Sequence, residues 1–244
     1  PKAEMAQWGT PYFLAWTTTP WTLPSNVALC VGPKIDYVAV QTYNAYTGEK
    51  MTAVLAKSLL YAHFNKKAEE LALEDYKPGD KLVPFKVVAE YKGPELVGME
   101  YEQLIPWVKP VSVDEKGKWS DASDKAFRII PGDYVTTEDG TGIVHIAPTF
   151  GADDAFVAKA AGIPSLFMIN KSGETRPMVD LTGKFYMMDE LDEEFVKQCV
   201  DVELYKEYEG RWVKNAYDPQ FTVNKVYDEK AAAAAETLDV VICL

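Results

Sequence analysis

Trp16-Thr17-Thr18-Thr19-Pro20-Trp21-Thr22-Leu23-Pro24-Ser25-Asn26 is the stretch on which the reading of this chain turns. Four threonines and two indoles fall within seven positions, directly after the apolar run Tyr12-Phe13-Leu14-Ala15. The run predicts a strand buried on both faces. Pro20 and Pro24 cannot donate to a ladder, so the strand must end here. Its C-terminal end opens into a loop lined with small hydroxyls against aromatic walls, a place to hold a small polar ligand. The same residues also fit a Thr-rich strand end with core tryptophans, because Thr suits strands and Trp suits interiors.

A second stretch decides between these readings. Gly140-Thr141-Gly142-Ile143-Val144-His145-Ile146-Ala147-Pro148-Thr149-Phe150-Gly151-Ala152-Asp153-Asp154 runs as turn, strand, Pro/Gly loop and acidic helix start. Together the two stretches closely resemble the editing domain inserted in isoleucyl-tRNA synthetases. The valyl and leucyl enzymes have a similar domain, but there an Arg usually follows the first threonines. Here the run is Thr-Thr-Thr-Pro-Trp-Thr-Leu-Pro, the isoleucyl form. The two motifs stand in the right order, about 120 residues apart.

Composition sets bounds. A chain of 244 residues buries a substantial core. With 48% hydrophobic and 25% charged residues it has the profile of a soluble globular protein. No apolar run approaches a membrane span and no signal peptide is visible. Pro1 at the start and the apolar run 240–244 at the end read as cuts from a longer chain. Cys30, Cys199 and Cys243 are far apart and form no CxxC pair, so neither a zinc site nor a disulfide framework is indicated. Reduced thiols of a cytoplasmic protein fit that pattern. The net charge of −12 argues against an independent grip on nucleic acid, which needs Lys and Arg to replace counterions.

Along the chain, strands are expected at 12–16, 27–31, 37–42, 51–55, 86–91, 127–130, 143–147 and 164–169. Helices are expected at 58–76, 153–161, 190–200 and, opened by an alanine run, 230–244. Residues 101–124 read as loop-dominated, and 210–228 as an insertion or arm within a single domain spanning 1–244. The expected class is α+β: a closed or nearly closed β-barrel with helices on its outside.

The resemblance implies a hydrolytic chemistry. A pocket that admits isoleucine can reject valine only through one missing methylene, worth about 1–3 kcal/mol, a limit for which this family's isoleucine/valine pair is itself the standard example. A second site must therefore cut the aminoacyl ester on the terminal adenosine of the tRNA. The implied partners are the 3′ CCA end of tRNA(Ile) carrying valine and the rest of the synthetase in cis, with no membrane and no cofactor.

Such a site must hold the α-ammonium, place a water on the carbonyl and stabilise the oxyanion. Asp154 matches the family's ammonium-anchoring aspartate. It sits in the first turn of a predicted helix, where the dipole favours a carboxylate. Asp153 and Asp154 could equally cap that helix. His145, at the end of an apolar strand, could be a core histidine or a general base. The resemblance implies instead that it shapes the side-chain pocket, excludes isoleucine by size and bonds ribose or water. Thr17, Thr18, Thr19 and Thr22 match the family's threonine-rich strand and offer hydroxyls to carbonyl, ribose or water. Alternation sends Thr17 and Thr19 to one face and Thr18 to the other. No Ser-His-Asp or Cys-His spacing is evident, and threonine without a base is a poor nucleophile, which favours an ordered water over a covalent intermediate. Trp21 could stack on adenine or sugar, or sit in the core or at the rim. Asn26 also matches the motif, to fix the loop or to touch the terminal nucleotide. No metal ligands are identified. Lys50-Met51-Thr52-Ala53-Val54 lacks the Lys-Ser of an ATP-binding KMSKS loop, and no HIGH motif or phosphate-binding glycine loop occurs, so the ATP-dependent ligase site lies elsewhere.

Overall fold

The computed structural model describes residues 2–17, 19–180, 183–211 and 239–243. In chain order its strands are β1 Thr10–Trp16, β2 Ala28–Val31, β3 Asp36–Tyr43, β4 Lys50–Ala56, β5 Lys86–Lys92, β6 Val111–Val113, β7 Trp119–Asp121, β8 Arg128–Pro131, β9 Ile143–Ile146, β10 Met168–Ile169, β11 Thr175–Arg176 and β12 Asp239–Cys243. The helices are α1 Lys2–Met5, α2 Leu60–His63, α3 Gly93–Leu96, α4 Ala152–Ala160, α5 Glu193–Cys199 and α6 Val202–Tyr205.

Two sheets carry the site. The larger has the order β12-β1-β4-β3-β5, with β1 and β4 parallel and the remaining pairs antiparallel. The smaller has the order β8-β2-β9, with β2 parallel to β8 and antiparallel to β9. Side chains alternate across each strand and so feed separate cores. Leu29 and Val31 of β2 join Phe13, Tyr37, Val54 and Ile143 between the sheets. Ala28 and Cys30 face the other way, into a core with Ile146, Ala158 of α4 and Phe195 of α5. Val38 and Val40 of β3 meet Leu55, Leu60 and Phe85 on the outer side of the larger sheet. The order is thus helix and turns, sheet, core, sheet, core, helices. This doubly buried arrangement is why β2, β3 and β4 read as nearly continuous apolar runs.

The α+β class holds. The barrel does not: among the described residues the strands form four separate sheets and no closed ladder. The two larger sheets face each other across the shared core and meet at one corner, where the Ala56 N–H donates to the Thr141 carbonyl at 2.9 Å.

Three further expectations change. The single helix at 58–76 is broken into α2 and short 3-10 turns at Lys57–Leu59, Lys66–Ala68 and Leu73–Asp75. The chain turns extended at Phe64, whose ring packs on Phe85 at 5.0 Å, and Asn65 caps the next turn by accepting the Lys67 N–H. Packing outweighs propensity in helices this short. The strand at 164–169 is a ladder only over β10, with a single bridge from Ser165 to Val111 before it. Within the helix expected at 230–244, the described residues 239–243 are strand β12, antiparallel to β1. Val240, Val241 and Ile242 are β-branched, and the open edge of β1 is a template for such a segment. Residues 101–124 contain a small hairpin, β6–β7. Most of the arm at 210–228, from residue 212 onward, lies outside the described residues.

Leu29, fully buried in the three-stranded sheet, tests this layering. Leu29→Ala is expected to cost about 2–5 kcal/mol, the range for a large-to-small change in a packed core. Urea unfolding of both proteins would read the loss as a lower midpoint at unchanged slope.

Candidate active site

The threonines are gathered by a fold-back of the loop after β1. Pro20 starts a 3-10 helix, Pro20–Ser25, for which its fixed φ is suited. The Thr22 hydroxyl donates to the Thr19 carbonyl at 2.8 Å, and the Thr19 N–H donates to Thr17 Oγ1 at 3.0 Å. Three hydroxyls are thereby clustered, with Thr17 and Thr19 Oγ1 3.1 Å apart and Thr19 and Thr22 Oγ1 3.3 Å apart. Thr17 and Thr19 share one side, as alternation requires. Thr18 and the side chain of Trp21 lie outside the described residues.

β9 brings His145 to this cluster. Its Nε2 lies 3.1 Å from Thr22 Oγ1 and 3.3 Å from Thr17 Oγ1. The Thr22 proton is already committed to the Thr19 carbonyl, so Thr22 accepts and Nε2 carries the hydrogen. This makes His145 the Nε2–H tautomer and leaves Nδ1 a bare acceptor. Nδ1 is buried and has no hydrogen-bond partner in the structure. Burial of the ring pushes its pKa down to about 4, so the imidazole is neutral near pH 7. No base stands near the threonines along the chain; the fold brings an imidazole to them. Its tautomer and low basicity make it a poor acceptor for a threonine proton, so it is not the partner of a threonine nucleophile.

Asp154 enters from α4. Gly151 is the N-cap of that helix and no side chain caps it. Asp153 is exposed. Asp154 turns back instead, and its Oδ2 accepts the Ala147 N–H at 2.9 Å. Burial raises its pKa above the usual carboxylate value; the Ala147 hydrogen bond opposes that shift and the neighbouring Asp153 charge adds to it. A half-buried carboxylate with this penalty is stabilised as an anion by a cationic ligand.

Thr17, Thr19, His145 and Asp154 share one cavity of about 310 Å³, lined also by Trp16 and Tyr134; Thr22 is not among its lining residues. Asn26 is not among the lining residues; its amide is used inside the fold, donating to the Ala28 carbonyl and accepting the Tyr101 hydroxyl at 2.7 Å. Of its two possible roles, this geometry supports fixing the loop. His63, which carries no role from the sequence, bonds the Gly140 carbonyl at the cavity rim at 2.7 Å.

No protein-family model matches the chain. Over its whole length it is 80% identical to the isoleucine–tRNA ligase of Bacteroides thetaiotaomicron and covers 21% of that protein. It is 55% identical, again over its whole length, to the isoleucine–tRNA ligase of Porphyromonas gingivalis, covering 20% of it. The chain belongs to the isoleucine–tRNA ligase family. It spans about a fifth of the length of these relatives. Among solved structures, the editing domain of the Plasmodium falciparum cytosolic leucyl-tRNA synthetase matches 68% of this chain and 57% of its own, at 14% identity and a TM-score of 0.40.

The cavity of this isoleucine–tRNA ligase segment is also lined by residues the motifs did not single out. Tyr134 lines the cavity from the turn after β8, and Asp139 lines it too. Neither carries a sequence signal beyond an ordinary Pro-Gly-Asp turn and an acidic loop. Gly142 does: a glycine directly before a strand marks a close backbone approach. It has φ +72, and a Cβ there would lie 2.4 Å from the Ala56 Cβ. The two thiols described, Cys30 and Cys199, are free and buried, and burial pushes both up to about 11. They are inert rather than nucleophilic at neutral pH.

The low pKa of His145 links stability to pH. The unfolded chain takes up a proton near 6.5 and the folded chain only near 4, so this group's contribution is full above 6.5 and is lost as pH falls towards 4. The loss approaches about 3 kcal/mol. Denaturant unfolding across that window is expected to show the decline, and His145→Phe should flatten it. A His145 imidazole titrating near 6.5 by NMR would contradict the buried neutral tautomer.

Proposed function

We propose that this chain is the editing segment of an isoleucine–tRNA ligase and hydrolyses the aminoacyl ester of valyl-tRNA(Ile). The observation that carries the reading is the joint placement of the Asp154 carboxylate, Thr17, Thr19 and a neutral His145 in one cavity, with the Thr22 hydroxyl bonded to the His145 ring. Asp154 takes the α-ammonium of the aminoacyl group, relieving the cost of its own burial. The threonine hydroxyls meet the ester carbonyl and the attacking water. Water oxygen adds to the carbonyl carbon, the ester C–O bond breaks, and the ribose hydroxyl leaves with a proton, releasing valine. The ester is labile enough that positioning and oxyanion stabilisation suffice. The described groups offer no activated nucleophile, which agrees with direct attack by water.

His145 supplies selectivity. A larger aliphatic side chain buries more apolar area and binds better wherever it fits. Exclusion of isoleucine therefore needs a clash with a rigid group. An imidazole held on two hydroxyls, on a strand paired to β2, is such a group. The acidic chain meets only the single-stranded end of the tRNA; the rest of the ligase holds the remainder, in the cytoplasm.

Two substitutions in the full-length ligase test the assignments. Asp154→Asn keeps an acceptor for the Ala147 N–H and removes the charge; deacylation of valyl-tRNA should fall by roughly the value of a charge-assisted bond, about 1.5–3 kcal/mol, with isoleucine activation unchanged. Undiminished turnover would show that the ammonium is held elsewhere. His145→Ala should gain hydrolysis of isoleucyl-tRNA while largely keeping that of valyl-tRNA. Collapse of both activities together would make His145 a water-positioning residue and move the gate to Thr17, Thr19 or Trp21.

A further inference from the structure

One wall of the cavity is held in part by a hydroxyl from the far side of the core. Tyr37 of β3 is fully buried between the two sheets. Its oxygen accepts the Gly32 N–H at 2.8 Å and donates to the Gly142 carbonyl at 2.7 Å. Gly32 follows β2 and Gly142 precedes β9, and these strands pair with Val31 opposite Ile143. The hydroxyl therefore spans the end of the β2–β9 ladder. Gly142 lines the cavity. The preceding carbonyl, Thr141, accepts the Ala56 N–H from β4. Two consecutive carbonyls of the wall are thus pinned to the larger sheet, one by backbone and one by the Tyr37 side chain. His145 lies three positions further along the same strand.

We propose that Tyr37 is a positioning residue for specificity: its hydroxyl fixes the Gly142 wall, and through β9 the His145 ring, so that the cavity excludes the side chain larger by one methylene. This rests on the deacylase reading above. Tyr37 touches no substrate. A gate that works by clash fails once its wall yields by about the width of a methylene, and in a close-packed interior a wall whose buried polar groups are hydrogen-bonded resists that movement. Without the hydroxyl, the Gly32 N–H and the Gly142 carbonyl must find other partners, and the wall moves to reach them.

Tyr37→Phe keeps the ring in the core and removes only the oxygen. In the full-length ligase it should lower the ratio of kcat/KM for valyl-tRNA over isoleucyl-tRNA deacylation by about tenfold, from a gain on isoleucyl-tRNA, within the range one methylene can command. Val38→Ala serves as control, because Val38 faces the opposite core; it should lower Tm and leave the ratio unchanged. An unchanged ratio in Y37F, with a lowered Tm, would overturn the proposal and leave the hydroxyl a support of the fold alone. So would a Y37F protein that cannot be purified in a form able to activate isoleucine. A wild-type ligase that hydrolyses neither ester would instead remove the deacylase reading on which the proposal rests.

Discussion

The contact between the His145 ring and the Thr17 and Thr22 hydroxyls is the constraint on which the site depends. It joins residues 123 and 128 positions apart in sequence, one end on the loop after β1 and the other on β9. A buried imidazole is costly unless its polar atoms are satisfied. Here one nitrogen is satisfied by hydroxyls that are themselves fixed by the backbone of the 3-10 helix. The ring cannot swing without breaking the threonine cluster, and the cluster cannot open without orphaning the ring. Rigidity of this kind is what a size gate needs.

The sheets exist to bring those two segments together. β1 sits in the larger sheet and β9 at the edge of the smaller one, and the residues between the sheets press the two against each other. Gly142 permits the closest approach, since a side chain there would collide with Ala56. Asp154 arrives by a third route, on α4, which packs on the far face of the smaller sheet through Ala158. Each part of the candidate site therefore comes from a separate element, and the cavity forms only when all three are docked.

Much of this was legible in the residues. The Thr/Pro/Trp run marked the strand end, and Pro20 fixed where the 3-10 helix begins. Glycines around Thr141 and the paired aspartates marked the second half of the site, and the choice of Asp154 over Asp153 agrees with their exposure. What stayed illegible was relational. Nothing in the spacing showed that Thr22 and His145 would meet, because that pairing depends on two sheets facing each other. Tyr37 read as one more apolar strand residue; its role in the wall comes from a hydroxyl reaching a carbonyl 105 positions away. The helix expected at 58–76 failed for the same reason, since Phe64 is drawn to Phe85. The barrel failed because alternation shows which faces are buried and says nothing about whether the last edge closes on the first.

In the proposed function the aminoacyl group of a mischarged tRNA end is bound between Asp154 and His145. A crystal structure of the full-length ligase with a nonhydrolysable amide analogue of 3′-valyl-adenosine tests it most directly. The expected result is the analogue's ammonium within hydrogen-bonding distance of the Asp154 carboxylate, roughly 2.7–3.2 Å, with the valyl side chain against the His145 ring. An analogue bound elsewhere, with the Asp154 carboxylate engaging only the Ala147 N–H, would contradict it.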